Sequence, residues 1–147
     1  MSAAHTVGII TPEQYALAFA HAANRDDRIP AYLSHVSPES ARAMATAGAQ
    51  FLAVSGFGPC PAAAYLRADG YFGGLFSLIP GAGSAIVSRA IALGANKLDC
   101  LGDGLARLYC RHGFRETFRA PWDDKQAPEL WLPEYGKPDY IEMRWSI

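Results

Sequence analysis

Apolar positions along the 147-residue chain change period several times, and each change marks an element. After Thr11-Pro12-Glu13-Gln14 the period is near 3.6, so Tyr15, Ala18, Phe19 and Ala22 share one face of a helix that runs to about residue 24. Thr11 suits the cap, Pro12 the first helical position, and Gln14 completes a capping box. Ahead of it, residues 7–10 read as a short strand. Residues 25–27 are polar, and Ile29-Pro30 predicts a break, because the residue before a proline is pushed out of the helical region. Ser37-Pro38-Glu39 repeats the cap chemistry and starts a second helix that ends near Gly48.

From residue 50 the period shortens. Residues 50–54 read as a strand, with a turn at Gly56, Gly58, Pro59 and Pro61. Residues 62–67 form the next strand, and Asp69-Gly70 is a hairpin signal that turns it back, antiparallel, into residues 71–79. Gly73-Gly74 inside that stretch predicts a bulge or a close approach by another backbone or a ligand. Pro80-Gly81-Ala82-Gly83 ends it, and residues 84–95 read as a helix with Ile86, Ala90, Ile91 and Leu93 on its buried side. A strand over 97–101, a brief helix over 104–112 closed by Gly113, a strand over 114–119, a proline-interrupted loop over 121–139 and a strand over 140–145 complete the chain. The strands flanking the helix at 84–95 are expected to run parallel.

The turn at 80–83 carries the first chemical signal. Gly81 and Gly83 lack a Cβ, so the backbone can turn sharply and come close to a ligand. Pro80 has no N–H, which leaves the amides of Gly81, Ala82, Gly83 and Ser84 at the positive end of the following helix. That is a site suited to a phosphate or diphosphate, although the same spacing also serves as a plain strand-to-helix connection.

Composition narrows the classes. The length suits one domain over 1–147 with a proper core, and a formal charge of -1 argues against a nucleic-acid partner. No apolar run reaches the ~20 residues of a membrane span, and three cysteines without a Cys-x-x-Cys fit reduced thiols rather than disulfides or a metal. A cytoplasmic setting without membrane contact is the expectation.

The element order with these motifs in place resembles the GCN5-related N-acetyltransferase (GNAT) family. That family's Q/R-x-x-G-x-G/A signature appears as Leu78-Ile79-Pro80-Gly81-Ala82-Gly83, with Leu where the family has Gln or Arg. Its aromatic-x-x-x-Gly-Phe ending appears as Tyr109-Cys110-Arg111-His112-Gly113-Phe114. Residues 92–95 followed by 97–100 resemble the family's passage from helix to strand. The resemblance implies an α/β (α+β) fold: a mixed, mostly antiparallel central sheet of about seven strands flanked by helices, splayed between strands 4 and 5.

It also implies an acyl-CoA-dependent N-acyltransferase that moves acetyl from acetyl-CoA, with no metal, to a primary amine on a small molecule or protein. On that reading Phe76, Ser77, Leu78 and Ile79 pair with the pantetheine amides, Gly81 to Ser84 hold the diphosphate, and Tyr109 gives a proton to the departing thiolate. Arg89, Arg107 and Arg111 are within range of the outer phosphate. No base for the amine announces itself; Glu116 and Asp103 are the candidates, His35 and His112 are ambiguous, and Cys100 suits a small buried hydrophobe. The segment over 121–139 sets five acids against two lysines among Trp122, Trp131 and Tyr135. It suits an acidic, aromatic rim for an amine or basic peptide, while its tryptophans equally suit pinning the loop or a homodimer contact. The missing Gln/Arg and base also leave room for a non-catalytic GNAT-like module that binds CoA or a protein partner.

Overall fold

A computed structural model describes residues 5–55 and 60–146. The turn expected at Gly56, Gly58 and Pro59 lies outside the described residues. In chain order the elements are β1 (Val7–Ile10), α1 (Pro12–Arg25), α2 (Arg28–Tyr32), α3 (Pro38–Thr46), β2 (Gln50–Val54), β3 (Ala62–Leu66), β4 (Phe72–Ser77), α4 (Ala82–Ala92), β5 (Lys97–Leu101), α5 (Asp103–Cys110), β6 (Phe114–Ala120) and β7 (Tyr140–Trp145). The described residues form seven strands in the expected order, with α2 as a helix the sequence reading did not include.

Both predicted capping boxes form. The Thr11 hydroxyl accepts from the Gln14 amide at 3.1 Å, and the Gln14 side chain accepts from the Thr11 amide at 2.8 Å. Ser37 and Ser40 make the same exchange at α3. The break expected at Ile29-Pro30 does not occur: α2 runs through both residues. Pro30 sits in the first turn of this helix, where a missing N–H costs nothing, and Leu33 closes it on the Ile29 carbonyl at 3.0 Å.

The strands hydrogen-bond as two antiparallel sheets, β1-β2-β3-β4 and β5-β7-β6. Period-two alternation sends Phe51, Ala53 and Ala63 to one core with Tyr15, Phe19 and Phe76, while Leu52, Val54, Ala62, Ala64 and Leu66 join α4, α5 and the second sheet in another. The sheets meet through a single parallel bridge, Tyr71 to Lys97. Past it, β4 and β5 separate.

The separation begins at a bulge. Ala63 faces Phe76 and Tyr65 faces Gly73, so Gly74 and Leu75 together oppose Ala64. Gly74 has φ +62°, and a Cβ there would collide with the Tyr15 hydroxyl and the Tyr65 ring. The Tyr15 hydroxyl, on a fully buried side chain, donates to the Gly74 carbonyl at 2.7 Å. The glycine pair read from sequence is therefore both a bulge and a close approach.

Gly74→Ala is expected to cost about 2 to 4 kcal/mol, combining left-handed backbone strain with overpacking. Gly94→Ala, at φ +110° with nothing within 4 Å, carries the backbone term alone. Urea denaturation of both variants checks the contrast; equal losses would remove the packing constraint at Gly74.

Candidate active site

Beyond the Tyr71–Lys97 bridge the facing edges of β4 and β5 enclose a cleft of about 560 Å³. Its floor comes from the ends of the two strands, one wall from α2 and another from α5 and the segment before β7. Arg28 and Asp99 are the charged residues lining it; tyrosines and aliphatic side chains form most of the rest. A strand pair that opens in this way leaves backbone donors and acceptors facing the gap, and such groups require partners.

This arrangement of strands and helices is similar to solved structures over nearly the whole chain. The chain has the GNAT fold. A GCN5-related N-acetyltransferase from Rhodopseudomonas palustris is 16% identical, with a TM-score of 0.65 over 100% of this chain and 98% of that one. The ribosomal-protein-alanine N-acetyltransferase from Brucella melitensis is 13% identical, with a TM-score of 0.66 over 97% and 99%. A Salmonella typhimurium protein solved with its cofactor acetyl-CoA is 15% identical, with a TM-score of 0.66 over 98% and 94%. No protein-family model and no curated protein matches the sequence.

Within that fold the glycine turn opens α4. Gly81 is the N-cap at φ +82°, and no side chain caps the helix. Gly81 is exposed and Ser84 half-buried, whereas Ala82 and Gly83 are buried. The Ser84 hydroxyl meets His112 Nε2 at 2.6 Å, tying the start of α4 to the end of α5. Burial, and then the charge of Arg111, lowers the His112 pKa. His5 Nε2 lies 3.3 Å from the Pro80 carbonyl on the other side of the turn. Arg89 is exposed two turns into α4.

The strand edge at 76–79 is only partly open. The Leu78 amide donates to the Pro61 carbonyl at 2.7 Å, so this donor, expected to face pantetheine, is already used on the β3 side. The Ile79 carbonyl accepts from the Ser77 hydroxyl at 2.6 Å. The Phe76 ring is buried against Phe19 in the core beside α1, while its residue and Ser77 line the cleft.

Tyr109 lies in the cleft wall, only 6% exposed, edge-on to Phe72 and Phe114 with ring centroids 6.3 and 6.0 Å away. Its hydroxyl has no hydrogen-bond partner among the described residues. Burial, and then the charges of Cys100 and Asp99, push the phenol above its usual range. A phenol near or above about 10 is a weaker acid than a thiol of about 8.5, so complete proton transfer to a thiolate runs uphill. What this group offers a leaving sulfur is first a donated hydrogen bond. Cys100, also in the cleft and in the core, is pushed up to about 12, first by burial.

Glu116 and Asp103 lie together outside the cleft lining. Both bind Arg119, at 2.6 and 2.7 Å, and Asp139 binds it at 2.9 Å. The hydrogen bond from Arg119 holds the Asp103 carboxyl below the usual carboxylate range, which makes it a poorer base. The carboxylate inside the cleft is Asp99 on β5, which sequence reasoning passed over. It accepts from the Tyr71 hydroxyl at 2.9 Å, and the Tyr140 hydroxyl lies 3.1 Å from its other oxygen. The signal was present in the alternation Leu98-Asp99-Cys100: an acid between two core residues must face away from that core. His35 packs edge-on against Phe19.

The loop over 121–139 is held by its aromatics. Trp131 lies 4.7 Å from Tyr32 of α2 and 4.8 Å from Trp122, and Arg28 sits 5.5 Å over Tyr135. The tryptophans therefore pin the loop to α2, and Pro138 contributes to the cleft wall.

The thiols give a direct check. At pH 7.5 iodoacetamide is expected to label exposed Cys110 well before Cys100, whose thiol is buried and protonated. Peptide mass spectrometry reads the order; equal labelling would mean the cleft wall around Cys100 is open.

Proposed function

We propose that the chain is an acetyl-CoA-dependent N-acetyltransferase acting on a primary amine. The observation that carries the reading is the wedge between β4 and β5, whose edges suit an extended ligand with amides of its own. Pantetheine is such a ligand. The uncapped start of α4, which follows the end of β4, suits its diphosphate, with the amides of Gly81 to Ser84 as donors and Arg89 in range of the outer phosphate. Ser77 and Leu75 supply the strand positions nearest the pantetheine, because Leu78 donates to Pro61.

The step is direct transfer. The amine enters with its ammonium beside Asp99, which accepts the proton and frees the nitrogen lone pair. The nitrogen bonds to the thioester carbonyl carbon, strand amides at the bulge stabilise the oxygen as it gains charge, and the carbon–sulfur bond breaks. The electron pair leaves on sulfur as CoA thiolate. The bonded nitrogen still carries one proton in excess, which leaves to solvent, and the thiolate takes a proton back from solvent; Tyr109 donates a hydrogen bond to the sulfur as its charge develops. Asp99 takes the base role because it lies in the cleft, whereas Glu116 and Asp103 are paired with Arg119.

Acetyl-CoA at about one hundred times its dissociation constant is expected to stabilise the fold by about 2.7 kcal/mol, read as a thermal shift. No shift at millimolar acetyl-CoA would overturn the reading; binding without thiol release across an amine panel would leave a non-catalytic module. Tyr109→Phe is expected to lower kcat about 10- to 100-fold while the KM for acetyl-CoA stays within about twofold. An unchanged kcat would remove Tyr109 from the leaving-group step.

A further inference from the structure

Asp99 is exposed on the face of β5 turned away from the core, and a carboxylate in such a place turns readily about its last side-chain bond. Among the described residues no cation fixes it: Lys97 pairs with Asp69 at 3.3 Å, and Arg119 with Asp103, Glu116 and Asp139. Hydroxyls hold it instead. That of Tyr71 donates to Oδ1 at 2.9 Å, and that of Tyr140 lies 3.1 Å from Oδ2. A phenol has one hydrogen. The hydrogen of Tyr140 is divided between Oδ2 and the nearer Glu142 Oε2, at 2.8 Å, whereas that of Tyr71 serves Asp99 alone among the described residues.

Tyr71 is itself held in place. Its carbonyl accepts from the Arg67 amide at 2.8 Å, its amide donates to Asp69 Oδ1 at 3.1 Å, and it forms the parallel bridge to Lys97. The Arg67 guanidinium lies 4.7 Å over its ring. Gly73 makes room for that ring, since a Cβ there would stand 2.8 Å from Tyr71 Cε1 and 2.7 Å from the Tyr65 hydroxyl. Asp99 follows Lys97 by two residues, so it projects from the same face of β5, one repeat past the bridge. The residue that ends the contact between the sheets thus reaches the first carboxylate beyond it, and both line the cleft. Burial, and then the charge of Asp99, raise the pKa of the Tyr71 phenol, which keeps it a donor at neutral pH.

We infer that Tyr71 is the positioning residue for the base: its hydroxyl anchors Asp99 Oδ1 and leaves Oδ2 to take the proton of the amine. This rests on the acetyltransferase reading, in which Asp99 is that base. Proton transfer needs its two heavy atoms about 2.6 to 3.2 Å apart, and a carboxylate free to turn spends only part of its time with an oxygen so placed. One donated hydrogen bond from a ring that cannot move far removes that freedom. Tyr71 touches no reacting atom in this arrangement, so its whole effect passes through Asp99.

Two measurements test this. The first needs no turnover: the Asp99 Cγ resonance is followed by NMR as a function of pH. Its midpoint is expected to rise by about half a pH unit or more in Tyr71→Phe, because a carboxylate that loses a donor is easier to protonate, and to move less in Tyr140→Phe. The other groups around it, Glu142 on β7, Lys97 and Cys100 on β5, Tyr65 and Arg67 from the β3 side and Tyr109 on α5, are the same in both variants. The second is a double-mutant cycle on the fastest substrate of a primary-amine panel (propylamine, benzylamine, glycinamide). Tyr71→Phe is expected to lower kcat/KM for the amine about tenfold, with the KM for acetyl-CoA within about twofold, and to change it less than about twofold once Asp99→Asn is present. A similar loss in both backgrounds would make Tyr71 merely structural and overturn the inference, as would an unmoved midpoint or a larger movement in Tyr140→Phe. Absence of transfer to every amine, with the midpoint displaced as expected, would instead strike the acetyltransferase reading and leave Tyr71 as the anchor of Asp99.

Discussion

The site depends on one hydrogen bond in a tight place. Tyr15 reaches from α1 to the carbonyl of Gly74, within a turn of backbone that only glycine fits. That contact fixes the bulge, the bulge bends β4, and β4 then cannot continue alongside β5 past Tyr71. Burial raises the Tyr15 pKa, so its proton stays in place at neutral pH.

Each side of the wedge is backed by its own core. The core beside α1 and α3 supports the first sheet through Phe51, Ala63 and Phe76, while α4 and α5 clamp the two sheets from the other face. Parted strands would otherwise close, because unpaired backbone groups gain by pairing. Here closure would require repacking two sets of close-fitting side chains, and cores of this kind resist partial movement. The gap is held open by packing.

Charge is divided between the two faces of the second sheet. On the core side at the sheet edge, Arg119 satisfies Glu116, Asp103 and Asp139 together. On the opposite face, exposed Asp99 and Glu142 share the Tyr140 hydroxyl, and Tyr71 donates to Asp99. Of these acids only Asp99 lines the cleft, where it is not committed to an arginine.

The sequence by itself determined the elements, because their signals are local. Caps at Thr11 and Ser37, period-two alternation in 50–54 and 140–145, the Asp69-Gly70 hairpin and the glycine pair at 73–74 each act within a few residues. The two motifs around Gly81 and Tyr109 extended this to the fold. Pro30 misled because a proline breaks a helix only away from its first turn, and α2 begins two residues before it, at Arg28. Alternation turns Asp99 away from the core, but only the tertiary structure put a cleft on that side. Glu116, Asp103 and Asp99 are chemically alike in sequence, and what separates them is the register of β5, β6 and β7. That register brings Arg119 to two of them and Tyr71 and Tyr140 to the third, a pairing between residues as far as 41 positions apart that no local pattern encodes.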